Sequence, residues 1–345
     1  MADTSSSSGS KALARAVFWP VFVIAVVAFS FYAANRYGDT KARVVFITAD
    51  TTPYWERVTE GARDAARQYG VDLHVIQPDG TLDAQNASID VALTDSADAV
   101  VISPVDGVRQ TGKLRDLARQ TKLVTVDSDS ELSDRVCFVG MDNYIAGQNA
   151  ADLVRAALPN GGRVLIAAGP LDKTNGQERR QGLIDSLLER DGRSELNADP
   201  IDSELVGDRF VIAGTVVDDL DPATATRLIS DRLRADEQID AVVGLYAYHA
   251  IAAAEAARTA APDRSITIVG FDALPETLDA VENGEVYGVI AQDQYGYGFQ
   301  SVRIAAESVE GYDNAPLSGT LALPPLRVNL VSLDRVRENL KLKKP

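Results

Sequence analysis

Two series of short apolar runs, separated by segments with helical periodicity, constrain the fold of this 345-residue chain more than any other feature. The first series is RVVFIT (43–48), VDLHVI (71–76), DAVVIS (98–103), KLVTVD (122–127) and RVCFVG (135–140). The second is RVLIAAG (163–169), RFVIAGTVV (209–217), AVVGL (241–245), SITIVGFD (265–272) and VYGVIAQ (286–292). Strands that are apolar on both faces and alternate with helices form parallel sheets covered by helices. The pattern therefore predicts two α/β lobes.

The residues just beyond the predicted strands are the candidates for a binding site, because parallel α/β sheets bind ligands at the carboxyl ends of their strands. They are Thr51–Thr52–Pro53–Tyr54–Trp55, Asp127–Ser128, the loop Pro170–Gln177, Tyr246, Asp272 and Gln292–Asp293. The set combines aromatic rings for stacking with carboxylates and amides for hydrogen bonding. Such a mixture suits a small polyhydroxylated molecule.

Trp55 also fits a second interpretation, because it lies on the apolar stripe of the helix predicted over residues 53–70. Residues at spacings of three and four form this stripe, namely Trp55, Val58, Ala62, Ala65, Ala66 and Tyr69. Packing in the core and contact with a ligand therefore both remain open for the indole ring.

The N-terminus predicts a membrane-associated segment ahead of the lobes. Residues 1–15 are polar and of low complexity, which is typical of disorder. Residues 16–34 are apolar and uncharged, and as a helix they would extend roughly 28 Å, close to the thickness of the hydrocarbon core. This length favours a permanent anchor, while a possible cleavage site after Ser30 leaves a signal peptide open. The positive charges on either side do not decide the orientation.

Composition and motifs exclude several classes of function. The net charge of -16 argues against nucleic-acid binding. The only cysteine, Cys137, lies in an apolar run and is expected to be a buried hydrophobe, and neither His74 nor His249 has a metal-binding partner in sequence. No dinucleotide or Walker glycine pattern is present, and DDLD (218–221) is interpreted as a solvated turn or helix start rather than a calcium loop. We predict no metal, no cofactor and no enzymatic acid–base pair.

From about residue 42 to 331 the chain resembles type I periplasmic substrate-binding proteins of the ribose-binding kind. The resemblance rests on TTPYWERVTEGARDAARQYG, DAVVISPVD, VTVDSD, VGMDNYIAGQNAADLV, ERRQGL, IVGFDALPETLDAVENGEVYGVIAQD and LPPLRVNL, in that order. It implies two Rossmann-like lobes with parallel sheets, joined by a three-segment hinge and closing over a ligand. The implied bounds are 42–141 plus 293–322 for the N-terminal lobe and 142–292 plus 323–345 for the C-terminal lobe.

The resemblance also implies roles for individual residues. The aromatic pair that sandwiches the sugar ring in the family falls on Tyr54 and Trp55. The family's two strand-end aspartates match Asp127 and Asp272, which are expected to accept hydrogen bonds from ligand hydroxyls, although Asp272 could also cap the helix that follows it. The family's hinge glutamine matches Gln292.

Four positions depart from the ribose-binding pattern. Ser128 and Gln177 stand where ribose binders carry arginines, while Thr52 and Tyr246 stand where they carry asparagines. These changes leave ligand binding in place but argue against ribose itself. Two carboxylates without the two arginines predict a ligand rich in donors, such as an amino sugar or another amine, unless Arg179 or Arg180 supplies positive charge. The place of Arg179 in ERRQGL suggests a structural role for it.

These observations predict a monomeric, exported solute-binding protein, tethered to the cytoplasmic membrane, that delivers a sugar-like ligand to the permease of an ABC-type importer. A membrane-tethered sensor of the same fold, which presents the ligand to a receptor or kinase, is the alternative, because a diffusing shuttle needs no tether. An enzyme acting on a sugar is disfavoured by the missing acid–base constellation.

Overall fold

The computed structural model of the protein describes residues 41–52, 54–171, 174–312, 314–316 and 319–339. The predicted tail 1–15 and the predicted anchor or signal segment 16–34 lie outside these ranges. Within them, no helix is both long enough and apolar enough to span a bilayer. The described residues from Arg43 onward belong to a single structural unit.

Thirteen strands among the described residues form two sheets. The strands are β1 (Arg43–Ile47), β2 (Asp72–Ile76), β3 (Ala99–Ile102), β4 (Lys122–Val126), β5 (Cys137–Gly140), β6 (Gly162–Ala168), β7 (Leu205–Val206), β8 (Phe210–Val217), β9 (Ile239–Gly244), β10 (Thr267–Phe271), β11 (Gly288–Ala291), β12 (Thr320–Ala322) and β13 (Leu326–Asn329). All ten predicted strands are present, with bounds that shift by one or two residues. The three strands that the sequence patterns missed are β7, β12 and β13, which are only two to four residues long.

Helices connect most of the strands. They are α1 (Tyr54–Tyr69), α2 (Leu82–Thr94), α3 (Thr111–Ala118), α4 (Asn143–Ala157), α5 (Thr174–Leu187), α6 (Pro222–Ala235), α7 (His249–Ala260), α8 (Pro275–Glu282), α9 (Gln294–Val309) and α10 (Leu333–Asn339). Local signals set several starts: the side chain of Asp221 caps α6 by accepting from the Thr224 N–H, and Pro222 occupies the first turn. The predicted helix start at DDLD is therefore confirmed.

The first sheet has the strand order β12-β5-β4-β3-β1-β2, and every neighbouring pair is parallel. The second sheet has the order β13-β11-β10-β9-β6-β8-β7, with a parallel centre and antiparallel edge strands β13 and β7. The predicted two-lobe α/β fold with parallel sheets is confirmed, apart from these two edges. An antiparallel edge on an otherwise parallel sheet is common in α/β proteins.

The described chain passes between the two sheets three times: after β5, after β11 and after β12. Because β12 and helix α9 return to the first sheet late in the sequence, each lobe is built from two separate stretches of chain. The residue bounds predicted for the lobes stay a prediction.

Helices α1 and α9 of the first lobe pack with their backbones in contact. A Cβ atom at Gly61 would lie 2.1 Å from the carbonyl oxygen of Tyr295, and one at Gly298 would lie 1.8 Å from that of Val58. Glycine is required at both positions, because any side chain would push the two helices apart. The contact fixes α9, which starts directly after a crossing between the lobes, onto the first lobe.

Both lobes have an apolar core of ordinary composition. In the first lobe, strand side chains such as Val45 and Ile102 pack against Leu114 and Leu117 of α3. In the second, strand residues such as Leu165 and Val242 pack against α6 and α7. Cys137 is fully buried in β5, as predicted, and burial raises the pKa of its thiol. The rigid cores leave the loops at the strand ends free to form a site.

Candidate functional site

Two aspartates occupy matching positions at the carboxyl ends of the two sheets. Asp127 follows β4, and its N–H donates to the carbonyl oxygen of Val139 on the neighbouring β5 (2.9 Å). Asp272 follows β10, and its N–H donates to the carbonyl oxygen of Ile290 on the neighbouring β11 (2.8 Å). Their φ angles are 63° and 64°, a left-handed conformation that costs most residues energy but that aspartate tolerates. Each lobe therefore turns sharply at an acidic residue.

One donor holds each of these carboxylates. The hydroxyl of Tyr54 donates to Oδ1 of Asp127 (2.6 Å), and Nε2 of Gln292 donates to Oδ1 of Asp272 (2.7 Å). No described residue donates to Oδ2 of either aspartate. Each lobe thus offers one carboxylate oxygen that can accept a further hydrogen bond.

Arg179 is the cation of this site. It lies on α5 and is only 4% exposed, with Nε donating to Oδ1 of Asn143 (2.9 Å) and Nη1 donating to the carbonyl oxygen of Leu245 (2.9 Å). Its guanidinium carbon lies 4.6 Å from the centre of the ring of Phe271, the residue that directly precedes Asp272. These contacts give Arg179 the predicted structural role, but they also fix its charge beside the acidic residues.

The charges of the two aspartates reflect burial and this cation. Burial raises the pKa of Asp127, while the Tyr54 hydrogen bond and Arg179 act in the opposite direction. Burial also raises the pKa of Asp272, while Arg179 and the Gln292 hydrogen bond oppose it. A single guanidinium therefore faces two carboxylates, and one negative charge stays unbalanced when both are ionised.

Tyr297, on the first turn of α9, joins the same cluster. It is 1% exposed. Burial raises its pKa well above the usual value for a phenol, and the carboxylate of Asp127 is the next cause. Arg179 and Asp272 also act on this pKa, the first lowering it and the second raising it. The strand-end rule did not select Tyr297, because it lies inside a helix.

The first-loop residues divide between the site and the core. Tyr54 is half-buried at the start of α1, whereas Trp55 is 2% exposed and packs in the first lobe. The two rings meet edge to face, with centroids 5.1 Å apart and planes at 81°. Thr52 is exposed, and both its N–H and its hydroxyl donate to Oδ1 of Asp50 (2.8 and 2.6 Å). Tyr54 thus gains a hydrogen-bonding role that the sequence did not predict, and its use with Trp55 as a stacking platform stays a prediction.

Gln177 and Tyr246 lie together around the loop that follows β6, within the second lobe. Nε2 of Gln177 donates to the carbonyl oxygen of Leu171 (2.6 Å), and the hydroxyl of Tyr246 donates to that of Pro170 (3.5 Å). A Cβ atom at Gly176 would lie 2.6 Å from the Tyr246 hydroxyl, so the ring covers the start of α5 closely. Gln177 and Tyr246 therefore both contact the loop that follows β6 in the second lobe.

His249 and Asp218 form a buried hydrogen-bonded pair next to Tyr246. Nδ1 of His249 accepts a hydrogen bond from the backbone N–H of Tyr246 (3.0 Å), so the ring carries its proton on Nε2 and donates it to Asp218. The hydroxyl of Tyr248 donates to the other oxygen of Asp218. Asp218 is 1% exposed, so the predicted solvated turn is wrong for this residue. No sequence pattern predicts this pair, because 31 residues separate its members.

Asp272 does not take the alternative role of a helix cap. The residue at the N-cap of α8 is Leu274, and no side chain caps that position. By contrast, Asp293 at the start of α9 does cap its helix, accepting from the N–H of Gly296 (2.8 Å). The carboxylate of Asp272 therefore takes no part in capping α8.

A cavity of about 480 Å³ extends from Asp127 and Ser128 along the space between the lobes. The first lobe contributes side chains such as Val108 and Leu132, and the second contributes Glu178 and its neighbours on α5. The charged residues that line it are all acidic: Asp106, Asp127, Asp129, Glu131 and Glu178. Within the described ranges, no group of histidine, cysteine and acidic side chains is arranged to hold a metal ion. Asp127 belongs to this lining, whereas Tyr54, Arg179 and Asp272 do not.

Comparisons with known proteins agree with this architecture. Residues 43–313 match the family described as periplasmic binding protein domain. The ribose import binding protein of Salmonella typhimurium is 22% identical over 291 residues, covering 84% of this chain and 91% of that protein.

Two solved structures share the fold. One is an ABC transporter solute binding protein from Burkholderia graminis in complex with D-arabinose, with a TM-score of 0.75 and 22% identity over 86% of this chain and 98% of that one. The other is a solute binding protein of an ABC transporter from Bacillus halodurans with bound myo-inositol, with a TM-score of 0.74 and 19% identity over 87% and 99% of the two chains.

Proposed function

Because the chain belongs to the periplasmic binding protein family and is a type I periplasmic binding protein, we propose that it captures a small neutral sugar or cyclic polyol between its lobes and delivers it to an ABC-type importer. The relative and the neighbours named above are described as binding ribose, D-arabinose and myo-inositol, which are all neutral polyhydroxylated molecules. They support the class of ligand and not a particular sugar.

The observation that carries this proposal is the pair of acceptors facing the ligand from opposite lobes. Oδ2 of Asp127 and Oδ2 of Asp272 receive no hydrogen bond from the described residues, while Oδ1 of each is held by a donor. A hydroxyl group donated to an ionised acceptor contributes roughly 1.5–3 kcal/mol. A ligand that bonds to both oxygens links the lobes and shifts an open–closed equilibrium toward the closed form.

Arg179 supports a neutral ligand over an amine. The expectation of an amino sugar rests on two carboxylates without a cation nearby. Arg179 opposes the rise in pKa that burial causes at both Asp127 and Asp272, so the charge that an amine would supply is already present in part. An amine would also bring a second cation close to the buried guanidinium, which costs energy.

We assign the remaining predicted residues to the surroundings of the ligand. Thr52, Ser128, Gln177 and Tyr246 stand at strand ends or on the loops beside them, and Ser128 lines the cavity. Tyr54 and Trp55 are assigned as the stacking platform. Tyr54→Phe and Tyr54→Ala separate two roles of this residue: the first removes the hydrogen bond to Asp127 and keeps the ring, while the second removes both. Equal affinities of these two variants would argue against stacking.

The location follows from the same relatives. The family is periplasmic, and export of the lobes is part of the proposal. Residues 16–34 are proposed to stay attached and to hold the protein at the outer face of the cytoplasmic membrane. N-terminal sequencing of the native protein tests this, because a mature chain that starts near Phe31 would mean that the segment is removed.

Isothermal titration calorimetry with a defined panel tests the function. The panel is D-ribose, D-arabinose, D-galactose, myo-inositol and D-galactosamine. We expect measurable binding of at least one neutral member, and tighter binding of D-galactose than of its amino counterpart if either binds. Binding of D-galactosamine alone would overturn the neutral-ligand proposal, and no binding across the panel would overturn the sugar or polyol class as represented by it.

A further inference from the structure

Helix α9 carries Tyr297 into the centre of the molecule. The helix starts two residues after Gln292, where the chain crosses between the lobes, and packs against α1 and against β3 and β4. The carboxyl end of β4 carries Asp127, and the start of α1 carries Tyr54. The first turn of α9 therefore places Tyr297 beside the residues that hold the first acceptor of the site.

The hydroxyl of Tyr297 differs from those of other tyrosines in the chain. A buried phenol normally has a hydrogen-bond partner. Four others do: Tyr54 donates to Asp127, Tyr144 to Asp185, Tyr248 to Asp218 and Tyr295 to Asp64. Tyr297 is more deeply buried than Tyr54, at 1% exposure, yet its hydroxyl bonds to none of the described residues. The hydroxyl oxygen of Tyr297 is not fully sealed from solvent.

The groups around this hydroxyl belong to the proposed site. The charges of Asp127, Arg179 and Asp272 all reach it, and these residues come from both lobes. Tyr297 is thus the buried tyrosine among the described residues whose hydroxyl has no hydrogen-bond partner, and it lies on the helix that packs against the elements carrying Asp127 and Tyr54. An unpartnered polar group in such a place is free to bond to a ligand.

We propose that Tyr297 is a ligand-binding residue whose hydroxyl donates to an oxygen of the bound sugar or polyol. This inference rests on the proposed function and adds a requirement to it. The free oxygens of Asp127 and Asp272 only accept hydrogen bonds, so they recognise hydroxyl protons of the ligand. A neutral phenol beside two carboxylates acts as a donor, so Tyr297 recognises a ligand oxygen that can accept. The bound molecule must then present donors to both lobes and an acceptor to α9.

Tyr297→Phe tests the proposal, and Tyr295→Phe is its matched control. Both changes remove one hydroxyl from the same helix, but the hydroxyl of Tyr295 bonds to Asp64 on α1 (2.8 Å). For the neutral panel member that binds wild type most tightly, we expect Tyr297→Phe to weaken affinity about 5- to 10-fold and Tyr295→Phe to leave it unchanged. Without ligand, Tyr297→Phe should keep or raise Tm, because it removes an unpaired buried group, whereas Tyr295→Phe should lower Tm.

The opposite signs separate a ligand contact from a structural one. Unchanged affinity in Tyr297→Phe would overturn the proposal, and so would a loss of Tm equal to that of Tyr295→Phe, since the hydroxyl would then have a partner in the unliganded protein. Failure of wild type to bind any neutral panel member overturns the proposed function instead. The Tm comparison needs no ligand and still decides whether the Tyr297 hydroxyl is unpaired.

Discussion

The two lobes place an aspartate at the same point of their sheets and hold it by different means. In the first lobe, the partner of Asp127 is Tyr54, which belongs to the same lobe. In the second, the partner of Asp272 is Gln292, which directly follows β11 where the chain leaves that lobe. The first acceptor is thus fixed within one rigid body, whereas the second is tied to a crossing between the lobes.

The two aspartates also differ in their relation to the positive charge of Arg179. Arg179 lies on α5 of the second lobe, so Asp272 has it within its own lobe while Asp127 meets it across the space between lobes. Burial raises the pKa of both aspartates. At Asp272 the strongest opposing effect is the charge of Arg179, whereas at Asp127 it is the hydrogen bond from Tyr54. The second lobe therefore has an aspartate and an arginine of its own, whereas the first lobe depends on the second for a positive charge near its aspartate.

The largest effect is expected from removing the shared cation. Arg179→Met removes the positive charge that acts on both carboxylates. It also removes the hydrogen-bond donor from Oδ1 of Asn143 and from the carbonyl oxygen of Leu245. Each of these buried acceptors, left without its donor, costs about 1–3 kcal/mol of unfolding free energy. Denaturant unfolding at neutral pH measures it.

A second substitution checks that charge is the reason. Adding Asp127→Asn to Arg179→Met removes one of the two unbalanced carboxylates, so part of the lost stability should return. Simple addition of two losses would mean that Arg179 acts through packing and backbone contacts alone.

The next effect separates the two acceptors by ligand affinity. Asp127→Asn and Asp272→Asn each keep an oxygen for the present donor but lose the ionised acceptor, which should cost roughly 1.5–3 kcal/mol of binding, or about 10- to 150-fold. Calorimetry with the tightest neutral panel member measures both. If only one variant lost affinity, the ligand would bind a single lobe and the proposed bridge between lobes would be wrong.

A smaller effect distinguishes the two holding donors. Tyr54→Phe and Gln292→Met each delete one hydrogen bond, worth about 1 kcal/mol of stability. Because Gln292 lies at a crossing, Gln292→Met should also change the radius of gyration of the unliganded protein in solution scattering, and Tyr54→Phe should not. Identical scattering curves for the two variants would contradict the proposal that Gln292, unlike Tyr54, acts at a crossing between the lobes.

The smallest effect is in the pH dependence of stability without ligand. The pKa of Asp127 is raised in the folded protein, mainly by burial, so the folded chain takes up this proton at a higher pH than the unfolded chain does. Wild type therefore loses stability as pH rises from the unfolded to the folded pKa of Asp127, and Asp127→Asn does not. The stability of the variant relative to wild type should rise over that interval and stay level above it. A relative stability that falls with rising pH would show that the folded pKa is lowered.

Much of the site could be predicted from the sequence, because the ends of parallel strands can be located by pattern alone. Asp127 and Asp272 follow the apolar runs directly, and Gln292 follows the last of them. These runs are long and apolar on both faces, so their positions depend little on tertiary contacts. The same reasoning missed β12 and β13, because these edge strands, TLA and LRVN, are partly exposed and do not form continuous apolar runs.

The pairings could not be predicted in the same way. Tyr54 and Asp127 are 73 residues apart, and their hydrogen bond depends on how α1 packs beside β4. Arg179 and Tyr297 lie within helices, where the direction of a side chain depends on the rotation of the helix against its sheet. Only the packed structure shows that the charges of the two aspartates and these two side chains act on one another. The sequence therefore locates the acceptors, and the fold supplies their counterparts.

The late return of the chain to the first lobe has a consequence for the order of folding. Thr320–Ala322 pair with Phe138–Gly140, and α9 covers β3 and β4, so the sheet begun at Arg43 stays open until nearly the whole chain is available. Domains usually fold first at the N-terminal end during synthesis, whereas here the first lobe is completed by residues near the end of the chain. Pulse-labelled hydrogen exchange during refolding would contradict this order if β5 became protected by β12 before the second sheet formed.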